Sequence, residues 1–226
     1  MNLLPNLAPL WISIKVSVIA TLITFCLGVG SAYAMTYYRG RWRSLINCLL
    51  LIPLVLPPTV VGFFLLLLFG KNGAIGQLIS HFSIQIIFTW YGAVIAATVI
   101  AFPLMYRASL GAFTQIDQLL LDAARVEGAS ELQVFSYIAF PLALPGILSG
   151  MVLAFSRALG EFGATLMLAG NIPEQTQTMP MAIYFAVEAG EFKEAGFWVF
   201  LIICISLTAV FTLDYLNPTS SNRPRN

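Results

Sequence analysis

Five apolar runs dominate the sequence, over residues 10–35, 45–69, 86–106, 138–156 and 195–213. Each is close to or longer than the roughly 20 helical residues that cross a hydrocarbon core. None shows the strict alternation of a strand, and an open sheet would leave backbone groups unpaired in lipid, so helices are expected. Only 9% of the 226 residues are charged, against about a quarter in a soluble domain. The expected fold class is all-α: a polytopic protein of about five transmembrane helices in a lipid bilayer, forming a single transmembrane domain over 1–226. Ala32-Tyr33-Ala34 has the small-residue character of a signal-peptide cleavage site. No basic stretch precedes it, the apolar run is too long, and Arg39, Arg41 and Arg43 follow as a stop-transfer flank, so the first run reads as a retained helix.

The same arginines orient the chain. Arg39, Arg41 and Arg43 lie between the first two runs, Arg107 and Arg125 between the third and fourth, and Arg223 and Arg225 after the fifth, all on one side. The other side has Lys71, Lys193 and a long loop carrying Glu174, Glu188, Glu191 and Glu194. Excess Lys and Arg marks cytoplasmic loops, so the N-terminus is expected outside and the C-terminus in the cytoplasm. A net charge of +1 with no basic block excludes nucleic acid as the main partner, since neutralising phosphates takes a concentration of cations. Cys26, Cys48 and Cys204 are odd in number and scattered through apolar stretches, and His81 is the one histidine. Neither a disulfide framework nor a metal site fits them; His81 reads as a loop residue and no cofactor is expected.

Pro53, Pro57 and Pro58 fall in the second run, Pro103 in the third, and Pro141 and Pro145 in the fourth. Each removes a helical hydrogen bond and crowds the preceding turn, so kinks are expected there. Two shorter apolar pieces, 162–170 and 179–189, cannot cross alone and are expected as broken or interfacial helices at the outer mouth. Trp11, Trp42, Trp90 and Trp198 lie near run ends and fit an interfacial belt, and Lys15 reads as an interface anchor whose stem snorkels.

Arg157 and Glu161, four residues apart near the outer end of the fourth run, would share one face of a continuous helix. Two roles are open for them. Arg157 offers a positive surface to a passing anion while Glu161 steadies it, or the pair neutralises itself and pins the helix. Gly160 and Gly163 flank the acid and would admit a close helix approach or a break. On the cytoplasmic side, residues 115–137 form the one connection long enough to hold structure. Helical spacing there places Leu120, Ala123, Ala124 and Glu127 together, Gly128 breaks the run, and Ser130 can cap a second short helix. A plain connecting helix and a surface for a cytosolic partner both fit that pattern.

Asp122-Ala123-Ala124, three residues, Gly128, nine residues, Ile138, one residue and Phe140-Pro141 resemble the EAA loop of binding-protein-dependent ABC importer permeases. The spacing matches throughout; Asp122 stands where Glu is usual and Phe140 where Leu is usual. The resemblance implies a type I ABC importer permease fold in the cytoplasmic (inner) membrane of a prokaryote. It also implies a coupling loop over about 115–141, with Asp122, Ala123, Ala124, Glu127 and Gly128 docking on an ATP-binding cassette subunit. Four further stretches resemble the molybdate permease branch, with tungstate and sulfate permeases close by. They are Pro53-Leu54-Val55-Leu56-Pro57-Pro58-Thr59-Val60-Val61-Gly62, Phe102-Pro103-Leu104-Met105, Ala158-Leu159-Gly160-Glu161-Phe162-Gly163-Ala164-Thr165 and Gly170-Asn171-Ile172-Pro173.

The resemblance implies a molybdate permease working as a homodimer with two ATP-binding subunits and an extracytoplasmic molybdate-binding protein, moving the anion by alternating access. No G-x-x-x-x-G-K-[ST] phosphate loop occurs in the sequence, so this chain is not expected to be an enzyme and a separate polypeptide would supply the ATPase. The alternatives are a tungstate or sulfate permease and a self-sufficient secondary anion transporter. The last would be expected to carry acids or histidines in its spans, and the first three runs have none. An intramembrane enzyme lacks a nucleophile and base or a ligand cluster.

Overall fold

The computed structural model describes residues 6–80 and 85–216; His81, Arg223 and Arg225 lie outside the described residues. In chain order the helices are α1 (Ala8–Tyr37), α2 (Arg43–Val55), α3 (Pro58–Phe69), α4 (Ala74–Ser80), α5 (Trp90–Thr114) and α6 (Gln118–Val126). A one-turn α7 (Glu131–Gln133) and a π-helical turn (Val134–Ala139) lead into α8 (Phe140–Leu159), followed by α9 (Gly163–Ala169), α10 (Met179–Glu188) and α11 (Phe192–Leu216). Four of these, with the α7–α8 rod taken as one, are long and apolar enough to cross a membrane, and the α2–α3 pair makes five.

The second run departs from a single kinked span. It breaks into two helices whose axes turn by 112°. The cause is Pro57-Pro58. Leu56, ahead of a proline, is held extended (φ −72°, ψ 143°), Pro57 is extended too (φ −54°, ψ 136°), and Pro58 opens the next helix at a position where a missing N–H costs nothing. Pro53, Pro103 and Pro145 lie inside helices that run through them without a break. Ahead of Pro141 the ladder loosens into the π turn, where the Phe140 N–H reaches back five residues to the Phe135 carbonyl.

α1, α5 and α8 pack as the central three, and their interface is made of small residues. Ala20, Ala32, Ala93, Ala97, Ala101, Ala143 and Ala154 are buried there. Lipid is as apolar as leucine, so helices in it associate through close van der Waals contact, which small residues permit. A Cβ at Gly28 of α1 would meet Met105 Cγ at 2.8 Å, and one at Gly150 of α8 would meet Ala108 Cβ at 2.7 Å. These crossings fix directions. Lys15 lies on Trp90 and Gly28 on Met105, so α1 and α5 run parallel; Gly146 faces Ala112 and Gly150 faces Ala108, so α8 runs antiparallel to both. The bent α2–α3 pair and α4 therefore return the chain to the end at which α1 starts.

Candidate functional site

The loop between α5 and α8 is built by local hydrogen bonds the sequence dictates. The Asp117 carboxylate accepts from the Leu119 N–H at 2.9 Å and caps α6. At the other end Gly128 has φ +92°, its N–H donates to the Arg125 carbonyl, and the Ala129 N–H donates to the Ala124 carbonyl. This is a Schellman termination, and it needs the left-handed backbone that glycine adopts without strain. Ser130 then forms a reciprocal capping box with Gln133 and starts α7.

Arg125 ties the two arms together. Its guanidinium meets Asp122 Oδ1 at 2.7 Å on α6 and both oxygens of Glu131 at 2.7 and 3.2 Å on α7, and lies 5.5 Å from the Tyr37 ring of α1. Hydrogen bonds to Glu131 and Asp122 hold its pKa above the usual arginine value. α6 packs inward through Leu121, which is buried among Phe113 and Val134. Of the residues that helical spacing groups on one side, Leu120, Ala123, Ala124 and Glu127, only Ala124 is half-buried and the other three are exposed. Leu119, Leu120 and Leu121 are consecutive, so periodicity alone does not choose among them, and the neighbours on α5 and the π turn do. Asp122, Ala123, Glu127 and Gly128 remain exposed, beside an apolar ridge of Leu119, Leu120, Val126 and Leu132, each more than half exposed.

Arg157 and Glu161 meet, but across a break. α8 ends at Leu159 with Gly160 as its cap, and α9 begins at Gly163. Arg157 Nη1 lies 2.8 Å from Glu161 Oε2, with side-chain exposures of 31% and 1%. That contact is an ion pair without an aligned hydrogen bond. The other oxygen, Oε1, accepts from the Ala164 N–H at 2.8 Å, so one buried carboxylate joins the end of α8 to the start of α9. Gly163 lies against Thr59 and Pro58 at the start of α3, and a Cβ on Gly62 would come within 2.8 Å of Ala164 Cα. The two glycines let α9 nest on α3 directly after the proline break.

Lys15 stacks on Trp90 with Nζ 3.5 Å from the ring centroid, a cation–π contact at the end of the bundle where α1 starts. Trp198 is not an interfacial residue. It is 1% exposed, packed with Leu159, Met179 and Ala182, and its indole N–H donates to Glu194 at 3.4 Å. Ser13, Ser17, Thr21 and Thr24, which the sequence pattern did not single out, form a buried polar stripe on α1. Ser17, Thr21 and Thr24 satisfy themselves on carbonyls three or four residues back, and Ser13 Oγ accepts from the Met179 N–H at 2.7 Å, fastening α10 to α1. The spacing of 4, 4 and 3 residues was the available signal.

Residues 24–219 match the family described as binding-protein-dependent transport system inner membrane component. The putative molybdenum transport system permease protein YvgM of Bacillus subtilis (strain 168) is 45% identical over 207 residues, covering 91% of each chain. The molybdenum transport system permease protein ModB of Escherichia coli (strain K12) is 42% identical, over 92% of this chain and 91% of that one. The sulfate transport system permease protein CysT of Salmonella typhimurium is more distant, 29% identical over 94% of this chain and 76% of its own. Among solved structures, the inward-facing MetNI methionine ABC transporter superposes with a TM-score of 0.72 at 15% identity, over 95% of both chains, which shows the fold. That fold is the one inferred from the loop motif, and the family match covers the loop, the break and four of the five spans in full. The chain belongs to the binding-protein-dependent transport system inner membrane component family.

Proposed function

We propose that the chain is the transmembrane permease subunit of an ATP-driven importer that carries molybdate across the inner membrane by alternating access. The observation that carries this is the α6–Gly128–α7 loop. It presents acids and an apolar ridge to the aqueous side, and Arg125 binds its two arms to each other against α1, so a push on the loop reaches the bundle as a unit. An exposed apolar ridge rimmed by charge marks a protein partner. In this reading the partner is an ATP-binding cassette subunit, one for each permease of a homodimer, and Asp122, Ala123, Ala124, Glu127 and Gly128 meet it. An extracytoplasmic binding protein delivers the anion to the outer mouth. The N-terminus lies outside and the C-terminus in the cytoplasm, and Arg157, Glu161, Gly160 and Gly163 border the path. Molybdate is preferred as cargo over sulfate because the relatives at 42% and 29% identity divide that way.

The test is reconstitution of the chain with its ATP-binding subunit and binding protein in proteoliposomes. ATP-dependent molybdate uptake is expected, competed by tungstate and poorly by sulfate. Uptake by the chain alone on a proton gradient, without ATP, would overturn the assignment in favour of a secondary transporter.

A further inference from the structure

The α6–α7 body that Arg125 holds together has two covalent attachments to the bundle, and they differ. On the α5 side residues 115–117 form a short non-helical link, with Asp117 extended (φ −63°, ψ 122°). On the α8 side the π turn carries the chain straight into the span. A π turn holds more residues than an α turn, because its bonds reach five residues back. Pro141 explains why the surplus is kept at this place. In an α ladder residue 141 would donate to the Tyr137 carbonyl, and the pyrrolidine ring crowds that oxygen; in a π ladder the same missing N–H would go to Ser136. Neither register gains a bond at that step, so the α form loses its usual advantage. Val134 (φ −57°, ψ −44°), Ala139 (φ −65°, ψ −48°) and Phe140 (φ −65°, ψ −48°) all have ordinary α dihedrals. Small torsional changes therefore carry the turn between registers.

Packing divides the turn into a fixed side and a free one. Val134 and Ala139 are fully buried. Phe135 sits among the rings of Tyr33 of α1, Phe113 of α5 and Phe140 of α8, with centroids 4.6, 6.3 and 5.8 Å away. On the other side Ser136 and Tyr137 are exposed, Tyr137 by 78%. Ser136 Oγ donates to the Leu132 carbonyl at 2.7 Å, a back-bond of the kind that bends helices. A helical turn held on one side by all three central helices, open on the other and without a preferred register has the form of a hinge. We infer that the π turn is the joint at which the α6–α7 body turns against α8 when a docked ATP-binding subunit closes, and that Pro141 keeps this joint compliant. The inference rests on the docking role given to the loop above.

Hydrogen exchange of the reconstituted transporter, without nucleotide and trapped with ATP and vanadate, tests it. In the wild type the amides of residues 134–140 should change their exchange rate about tenfold between the two states, as a local opening does, while those of residues 146–156 within α8 should not. Pro141→Ala restores the N–H and removes the ring. It should abolish that change and lower uptake per ATP hydrolysed about tenfold, with the complex present at normal level. Equal exchange in the two states of the wild type would mean that the body and α8 move as one piece, and would overturn the joint even if Pro141→Ala failed to assemble. Pro141→Ala with the exchange change and the coupling of the wild type would overturn the role of the proline. Docking is checked separately, in a cysteine-free background, by cross-linking Ala123→Cys to the ATP-binding subunit with a thiol-to-amine reagent. Absence of that cross-link would overturn the docking role itself, whereas a cross-link together with unchanged exchange would overturn the joint alone.

Discussion

Glu161 is 2% exposed whereas Arg157 keeps part of its side chain open, and that asymmetry ranks two variants that charge counting would treat alike. Arg157→Gln strands a buried carboxylate, which costs about 3–5 kcal/mol or forces it to take up a proton. Glu161→Gln keeps an acceptor for the Ala164 N–H and leaves Arg157 able to reach water, so its cost should be about 1–2 kcal/mol. Thermal unfolding of the assembled complex should therefore rank wild type above Glu161→Gln above Arg157→Gln, with the double variant recovering much of the loss. Equal destabilisation by the two singles would refute the buried-charge account. Full uptake per complex by the double variant would leave an anion-contact role for Arg157 without support. The pairing was legible in the sequence from the spacing of four. The burial of Glu161 was not, because it comes from α9 nesting on α3, some 100 residues away in the chain.

Among the elements, the α6–Gly128–α7 loop was the most legible, since its helix, glycine turn and serine cap each follow from local chemistry at a few adjacent residues. The α2–α3 break was half legible: Pro57-Pro58 signalled a disturbance, but its size of 112° depends on Gly62 and Gly163 letting α3 lie against α9. The inward face of α6 was not legible, because three leucines in a row fit any face. The loop yields a prediction in two steps. At Gly128 nothing lies within 4 Å of an added Cβ, so a side chain there meets no steric block inside the chain, and the cost is the φ of +92° alone. Gly128→Val should strain the turn by about 1–2 kcal/mol. Gly128→Asn, which tolerates the left-handed region, should cost less. If the loop transmits ATPase closure, Gly128→Val present at normal level should lose transport about tenfold while ATP hydrolysis persists, since allosteric couplings of this kind run to about 1–3 kcal/mol. Normal uptake by Gly128→Val at normal abundance would remove the loop from the coupling path.

For the whole molecule, the number of crossings decides which loops share a side, and a bent pair leaves that number open until helix directions are known. If α2 and α3 formed a re-entrant hairpin, α5 would start on the side where α1 ends and the two would be antiparallel. They are parallel, with Lys15 on Trp90 and Gly28 on Met105, so the pair crosses, and the arginine-rich turn shares a side with α6. This agrees with the excess of arginine on those loops, which a hairpin would split between the two faces of the membrane. Cysteine labelling checks it. In a cysteine-free background, needed because Cys26, Cys48 and Cys204 are all exposed, single substitutions at the exposed Glu188, the last residue of α10, and Gln118, the first of α6, report on opposite sides. An impermeant reagent added to intact cells should label Glu188→Cys and leave Gln118→Cys unreacted until the membrane is permeabilised. The reverse pattern would invert the chain, and labelling of both from outside would mean that α8 does not cross, which its antiparallel packing on α5 forbids.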